Sequence, residues 1–387
     1  GVRRVRSPRL GPLRFRGPRV ALALVVLGLA ACSGPAGRSP TLPALSSPTP
    51  TQVPSPPVDG LRADLHTLPV RVYVPNSLSN TVAILDPAKQ QALATFRVGK
   101  APQHVVPSYD LRVLWVNNNG ADTLTPIDPH SGRPGPPVAV ADPYNLYFTP
   151  DGRFAVVVAE RLQRLDFRDP HTFRLVASAA VPCRGPNHLD FSRDGAYFLL
   201  SCEFDGRLVK MDTNSRRVLG VLQLGAMPQD VRLAPDGSRF LVADLIRDGV
   251  HVVDGERLRA VGFIRTGIGA HGVYPDFQGR RVYVTNRGWH TVYGGRRGPG
   301  SVAVLDGRTL HLLLRWPVPG GGSPDMGNFT PDGQQLWLSG RYDDEVYAFD
   351  TRSGTLVARI RVGRGPHGLT VWPQPGRYSL GHTGNMR

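Results

Sequence analysis

Seven polar residues occupy equivalent places in a short phrase that the sequence repeats seven times. In the phrase, a glycine-rich turn, usually with a proline, leads to the polar residue and then to a short apolar run; residues 363–371 are the clearest copy. Imidazole and carboxylate groups can ligate a metal ion, ligate haem or transfer protons. The alternative is that these side chains satisfy backbone groups of the turns or line a water-filled channel. The seven residues are His104, Asn145, His188, Asp230, His271, Asp325 and His367.

The four histidines of this set do not share one offset within the phrase. His104 and His188 stand two residues after the proline, whereas His367, and by alignment His271, stand one residue after it. Successive residues of a strand face opposite sides of a sheet. Strict alternation would therefore keep the four imidazoles from converging on one point.

The spacing of the phrase predicts the architecture that positions these residues. The copies recur about every 42 residues, with one interval of about 54, and a period of this length made of strand patterns is typical of a propeller blade. Runs of β-branched and aromatic residues fill each interval, and tight-turn signals such as Asp151-Gly152 and Asp332-Gly333 separate them. We predict an all-β fold over residues 69–376, a seven-bladed β-propeller of four-stranded antiparallel blades. The C-terminal strand at 367–372 should close the ring by completing the blade begun at residues 70–98.

Two segments of the chain resemble a known family of propellers. Val282-Tyr283-Val284-Thr285-Asn286, and the near copy at residues 72–76, resemble the YVTN repeat that names a family of β-propellers. The resemblance covers about residues 70–376 and implies the fold, whereas the same scaffold serves unrelated functions. The fold is also similar to the haem-binding propeller of certain nitrite reductases, whose channel histidines serve the cofactor, and to seven-bladed lactonases.

One rim of the predicted propeller collects the candidate ligand-binding groups. Because strands alternate in direction within a blade, the phrases and the loops between the second and third strands must share this rim. Its longest loop, residues 287–300, carries Trp289 and His290 among glycines and paired arginines, as mobile binding loops often do. The rim candidates are therefore Trp289, His290 and the seven phrase residues. The loops between the second and third strands are predicted to add further polar and aromatic groups to this rim. They are Asn76, Asn80, Asn117 to Asn119, Glu160, Arg161, Glu203, Asp205, Asp244, Arg247, Arg341, Tyr342 and Asp343.

The N-terminal region has the pattern of an exported lipoprotein. Seven arginines within residues 1–20 precede the apolar run at 20–31, which is short for a bilayer span and is laid out as an export signal. The sequence Leu29-Ala30-Ala31-Cys32 resembles a bacterial lipobox, so residues 1–31 are the predicted signal peptide and Cys32 the lipidation site. The alternative is an ordinary signal peptide with a chance cysteine. Residues 32–68, rich in Pro, Ser and Thr, are predicted to be a disordered tether.

Charge and motif content narrow the function classes. Without the seven N-terminal arginines the net charge falls from +16 to +9, and the remainder is spread among acidic residues. This distribution indicates a basic solvated surface and no nucleic-acid partner. The sequence contains no C-x-x-C-H haem attachment motif and no G-x-S-x-G nucleophile motif. The polar tail at 377–387 has no assigned role.

Cys183 and Cys202 flank the hairpin that turns at residues 193–195. Outside the cytoplasm such a pair is a candidate disulfide, and two buried free thiols are the alternative.

These observations favour a monomeric, membrane-anchored propeller facing the periplasm or cell exterior. Our leading hypothesis is a ligand-binding or protein-interaction module of the cell envelope, because no catalytic signature is present. The alternatives are a haem- or metal-dependent oxidoreductase-type propeller and a lactonase-like hydrolase. The sequence identifies no cofactor, partner or catalytic residue.

Overall fold

Each repeat of the sequence forms one blade in the computed structural model, which describes residues 60–387. The predicted signal peptide, Cys32 and the tether up to residue 59 lie outside the described residues. Within 60–387, seven antiparallel sheets surround a central channel, so the predicted seven-bladed propeller is confirmed. The strands of blades 1 to 3, innermost first, are β28 (Thr370–Trp372), β1 (Arg71–Asn76), β2 (Thr81–Asp86) and β3 (Gln91–Arg97); β4 (Pro102–Pro107), β5 (Leu114–Asn118), β6 (Thr123–Ile127) and β7 (Val138–Ala139); and β8 (Asn145–Phe148), β9 (Ala155–Ala159), β10 (Arg164–Arg168) and β11 (Leu175–Ala180).

Blades 4 to 7 repeat the same order. Their strands are β12 (Pro186–Phe191), β13 (Tyr197–Cys202), β14 (Arg207–Asp212) and β15 (Val218–Gln223); β16 (Pro228–Leu233), β17 (Arg239–Asp244), β18 (Gly249–Asp254) and β19 (Arg259–Arg265); β20 (Ala270–Pro275), β21 (Arg281–Asn286), β22 (Ser301–Asp306) and β23 (Leu312–Pro317); and β24 (Pro324–Phe329), β25 (Gln335–Gly340), β26 (Glu345–Asp350) and β27 (Leu356–Arg361). Two one-turn 3-10 helices, Ala63–Leu65 and Asn119–Ala121, lie before and within this series.

The ring closes as predicted. β28 pairs with β1 in antiparallel register, with Val371 opposite Val72 and Thr370 opposite Tyr73. The blade formed first in the sequence therefore receives its innermost strand from the end of the chain, which leaves no open sheet edge between blades 7 and 1.

The cores lie between neighbouring blades. Strands two and three of each blade are almost wholly buried, as in β9, whereas outer strands such as β3 are mostly exposed. Aspartates end most third strands and accept hydrogen bonds from backbone N–H groups two and three residues later; Asp306, for example, accepts from Arg308 and Thr309 at 3.0 and 2.7 Å. These side chains fix the turn before the fourth strand.

Residues 61–68 are part of the folded domain, which corrects the predicted boundary of the tether at residue 68. Leu65 and Leu68 are buried in a cluster that includes Tyr73 and Trp372 of blade 1. The Pro/Ser/Thr-rich composition concealed these two leucines, whose burial offsets the ordering of the segment.

A disulfide joins Cys183 to Cys202, with 5.9 Å between the Cα atoms. It links the entry of β12 to the end of β13 inside a core cluster that also contains Val181 and Leu189. The bond ties the loop that leads into blade 4 to that blade.

The C-terminal tail enters the channel from the end opposite the phrases. It forms two short strands, β29 (Ser379–Gly381) and β30 (Asn385–Met386), and β29 pairs with the inner strand β8 through Gly381 and Tyr147. Blade 3 thereby becomes a six-stranded sheet. Arg387 holds the end of the tail through hydrogen bonds to the carbonyls of Phe191 and Ser192.

Within residues 60–387, no helix has the length and apolar character that a membrane span requires.

Candidate functional site in the central channel

All seven phrase residues lie on the inner strands or at their entries and are buried at the channel axis, each exposing 1% of its surface or less. The four phrase imidazoles form a closed circle around the axis. The centroids of neighbouring imidazoles are 4.9 Å apart for His104 and His367, 5.7 Å for His104 and His188, 6.0 Å for His188 and His271, and 5.8 Å for His271 and His367. The structure thus brings together histidines that strict strand alternation would have separated.

A β-bulge in the inner strands removes the expected conflict between the two offsets. In β4 the pairing passes from Pro102–Asn118 to Val105–Val116, and in β20 it passes from Ala270–Asn286 to Val273–Val284. Three steps on the inner strand therefore match two on its partner, and two residues oppose one. Those two residues no longer alternate, so the first position in β20 and the second in β4 both direct an imidazole to the axis.

Asp325 is the charged group on one side of the circle of imidazoles. Its carboxylate accepts hydrogen bonds from Nε of Arg287 at 2.7 Å and from Nδ1 of His367 at 2.6 Å, and it lies 2.9 Å from Nδ1 of His271. Arg287 also donates to Nε2 of His271 at 2.9 Å. Burial alone would raise the pKa of the Asp325 carboxyl, but Arg287 and the two imidazoles hold that pKa well below its usual value. Asp325 is therefore a buried carboxylate with its charge compensated.

The imidazoles themselves are neutral. Burial lowers the pKa of His104 to about 4, against the opposing effects of the Tyr144 carbonyl and Asp325. Burial likewise lowers the pKa of His188 and His367 well below its usual value, assisted by His382 and by Arg341 respectively. Neutral imidazoles are the form that binds metal ions and accepts protons.

A fifth histidine comes from the tail. His382 is fully buried, with its ring centroid 4.6 Å from that of His188 and 5.3 Å from that of His104. Its Nε2 lies 3.3 Å from Oδ1 of Asp230, a phrase residue that also pairs with Arg232 at 3.5 Å. The tail thus contributes directly to the site.

Asn145 connects two of these rings. Its side-chain amide nitrogen lies 3.0 Å from Nδ1 of His188 and 3.1 Å from Nδ1 of His382. Nδ1 of His104 instead lies 2.9 Å from the Tyr144 carbonyl, which can only accept, so this nitrogen carries the proton. Four of the five imidazoles at the channel axis have a buried Nε2 atom without a hydrogen-bond partner among the described residues: His104, His188, His367 and His382.

Unpaired buried nitrogens at this density mark a place for a ligand, an ion or ordered water. We considered whether a haem could occupy it. Ring centroids 4.6 to 6.0 Å apart leave no space for a tetrapyrrole between the imidazoles. The donor set therefore suits a single ion or a small molecule and does not suit a haem at this level of the channel.

The rim above the imidazoles carries two carboxyl groups. The side chains of Glu160 and Glu203 lie within hydrogen-bonding reach, and burial together with Glu203 raises the pKa of Glu160 to about 10. Glu203 accepts a hydrogen bond from Gln229 at 3.0 Å. The protonated carboxyl of Glu160 thus lies beside a second carboxyl group, an arrangement that can both donate and accept hydrogen bonds.

The long loop at 287–300 spans the rim. Trp289 packs on Tyr342 of blade 7 with centroids 4.3 Å apart, and Tyr293 stacks on Phe204 of blade 4 at 6.0 Å. His290 pairs with Asp248 at 2.8 Å and does not belong to the circle of four phrase imidazoles. Trp289 and His290 therefore anchor a cover over the channel mouth. A cavity of about 270 Å³ lies beneath Tyr293, between Phe204 and Glu160.

A family model described as YNCE-like beta-propeller matches residues 42–375. The chain belongs to the YNCE-like beta-propeller family. A search of curated protein sequences gives no match.

Solved structures similar to this YNCE-like propeller carry different activities in their titles. The periplasmic gluconolactonase PpgL of Pseudomonas aeruginosa is 20% identical, with 79% of this chain and 99% of that chain covered and a TM-score of 0.63. Hydrazine synthase of Kuenenia stuttgartiensis is 21% identical, with coverage of 68% and 87% and a TM-score of 0.58. The dihydro-heme d1 dehydrogenase NirN in complex with DHE is 18% identical, with coverage of 78% and 75% and a TM-score of 0.58. At these identities the likeness shows the fold alone.

Sequence reasoning missed His382 because the tail follows the last repeat and lies outside the period. Its local sequence, Gly381-His382-Thr383-Gly384, is a histidine in a turn between two glycines. That signal indicates a tight turn but gives no indication that the turn enters the channel.

Proposed function

We propose that this YNCE-like propeller is an envelope protein, anchored through Cys32, that binds a small polar ligand in the upper part of its central channel. The observation that supports this most is the concentration of unpartnered buried nitrogens at the axis, directly below a rim that offers both donors and acceptors. A pocket of this kind, with few convergent polar groups and perturbed pKa values, is the usual form of a small-molecule site.

The composition of the rim suggests the class of ligand. The carboxyls of Glu160 and Glu203 and the guanidinium of Arg341 provide hydrogen-bonding groups of both kinds, and the indole of Trp289 supplies a flat apolar surface. Such a mixture matches a hydroxyl-rich compound such as a sugar, a sugar acid or its lactone. One solved relative of this fold carries gluconolactonase in its title.

The low basicity of the channel histidines favours ligand binding over catalysis. His367 is oriented by Asp325 and has a free Nε2 atom, as a general base requires. However, burial and Arg341 lower its pKa well below neutrality, which weakens it as a base. Hydrolysis of a lactone is therefore the second candidate, supported by the Asp325–His367 pair.

A single panel separates the two candidates. Hexoses, aldonic acids and aldonolactones are added to the purified full chain, and thermal unfolding and lactone hydrolysis are measured in parallel. Ligand binding predicts an upward shift of the melting temperature that is lost in Glu203→Gln and kept in the exposed control Glu256→Gln. Lactone turnover lost in His367→Asn would establish the second candidate. No shift and no turnover across the panel would reject both.

A further inference from the structure

We propose that His104, His188 and His382 form a binding site for one divalent transition-metal ion, completed by the C-terminal tail. The site lies below the rim and uses three of the unpartnered nitrogens that also support the ligand proposed above, so metal binding and sugar binding are measured separately.

The geometry of the three rings suits a shared ion. Each ring offers a nitrogen that lies within 4.8 Å of the nitrogens offered by the other two, and all three residues are fully buried. Around a tetrahedral ion with bonds of about 2.1 Å, such nitrogens are roughly 3.4 Å apart. A contraction of up to about 1.4 Å, within the reach of side-chain torsions, would bring them to ligating distance.

The hydrogen bonds around the rings decide which nitrogens are free. The Tyr144 carbonyl holds a proton on Nδ1 of His104, so Nε2 of that ring presents its lone pair. The other two rings both direct Nδ1 to the side-chain amide of Asn145. Leu146 N–H donates to Oδ1 of Asn145 at 2.9 Å, so the amide nitrogen faces both rings in this structure. Ion binding through Nε2 of both rings requires the amide to rotate, so that its oxygen accepts from both Nδ1–H groups. Asn145 then orients two ligands at once, the usual role of an outer partner of a metal-binding histidine.

The backbone of the tail supports a specific role for His382. Both His382 and Thr383 have positive φ angles, 26° and 48°, at the tip of the turn between β29 and β30. Left-handed conformations are unfavourable for non-glycine residues and are concentrated at ligand clamps and active sites. A turn that only sealed the channel could use glycine at these positions, as it does at Gly381 and Gly384. These two backbone conformations direct the imidazole of His382 toward His188.

The donor set determines the type of ion. Three neutral imidazoles suit zinc, copper, nickel or iron(II), whereas calcium and magnesium require oxygen ligands. A three-histidine set leaves a fourth position open, as in catalytic zinc sites. Oδ1 of Asp230 lies 3.3 Å from Nε2 of His382 and has no hydrogen-bond partner among the described residues, so this carboxylate is the group best placed to fill that position.

The test titrates metal into the full-length protein after chelator treatment and dialysis. No thiol reductant is added, so the Cys183–Cys202 disulfide stays closed and offers no thiolate. Zinc binding is measured by calorimetry, and cobalt binding by visible absorption, which reports coordination number and ligand type. We expect one ion per chain, and a loss of affinity of about 100-fold or more in His104→Gln, His188→Gln and His382→Gln. The exposed control His130→Gln should bind as the wild type does.

Asn145 provides the variant that separates ligation from folding. Asn145→Asp supplies an acceptor for both Nδ1–H groups without any rotation and should strengthen zinc binding, whereas Asn145→Leu should weaken it by about 10- to 100-fold. Circular dichroism shows whether each variant is folded before titration. If a histidine variant does not fold, the two Asn145 variants are compared in its place. Zinc affinity that is unchanged in His382→Gln, or equal in Asn145→Asp and Asn145→Leu, would overturn the proposal. So would the absence of stoichiometric binding by the wild type. Zinc binding without any response to the sugar panel would support the metal site and reject the rim ligand. A response to the panel without zinc binding would reject the metal site and support the rim ligand.

Discussion

Asp325 and His367 form a buried hydrogen-bonded pair, with 2.6 Å between Oδ2 of the carboxylate and Nδ1 of the imidazole. The two residues belong to consecutive copies of the repeated phrase, 42 positions apart in the chain. The same carboxylate compensates the charge of Arg287, so one side chain orients an imidazole and neutralises a buried guanidinium.

Replacing this carboxylate should destabilise the propeller strongly. In Asp325→Asn the Arg287 charge loses its partner while it remains buried, and breaking one side of a buried ion pair costs about 3–5 kcal/mol. Urea unfolding would measure the loss. Asp64→Asn, which breaks an exposed pair with Arg62, is the control and should change the unfolding free energy little. Equal effects of the two substitutions would show that the Asp325 network does not stabilise the fold.

The carboxyl pair at the rim should make stability fall as pH rises. The pKa of Glu160 is raised to about 10 in the folded state, so the folded protein keeps a proton that the unfolded chain releases above its ordinary pKa. Unfolding free energy therefore decreases from about pH 5 upward, by at most about 1.4 kcal/mol per pH unit for one retained proton. Glu160→Gln removes this dependence and should be more stable than wild type at pH 8 and similar at pH 4.5.

The control for this pH effect is Glu256→Gln, an exposed carboxyl on blade 5. This substitution should leave the pH dependence of the unfolding free energy the same as in the wild type. Parallel profiles of the wild type and Glu160→Gln would show that Glu160 is ionised in the folded protein.

The repeated phrase was enough to predict the fold, because its period, its Asp-Gly turns and the position of its last copy each follow from local sequence. The convergence of the histidines was not predictable. It depends on bulges in the inner strands, which insert one residue against the partner strand and cancel the alternation that sequence offsets imply. A bulge leaves no mark in the sequence beyond the glycine and proline already used to define the phrase.

The role of the tail was also beyond sequence reasoning, for a different physical reason. His382 reaches the channel because β29 pairs with β8, a contact between residues more than 200 positions apart. No periodicity links the tail to blade 3. The sequence predicts Glu160 and Glu203 on one rim, whereas the raised pKa of Glu160 depends on burial and on the proximity of Glu203.

The predicted lipid anchor can be tested on the full chain by partition and labelling. Cys32→Ser should move the protein from the detergent phase to the aqueous phase in a detergent partition of cells that express the full chain. The wild type should also incorporate labelled palmitate, whereas the variant should not, because the lipid is attached only through the cysteine at the processed N-terminus. Labelling of the variant, or an unchanged partition, would contradict the assignment.

The disulfide should make the folded state sensitive to reductant. Residues 183 and 202 are separated by 19 positions, and closing a loop of this size restricts the unfolded chain enough to stabilise the protein by about 3 kcal/mol. Adding dithiothreitol should lower the free energy of unfolding by this amount in a Cys32→Ser background, where no other cysteine remains. The double variant Cys183→Ser, Cys202→Ser should show the same low stability with and without reductant, because the bond is its only target. A wild type that unfolds identically in both conditions would mean that the two sulfurs are free thiols, and a cytoplasmic location would then be favoured over export.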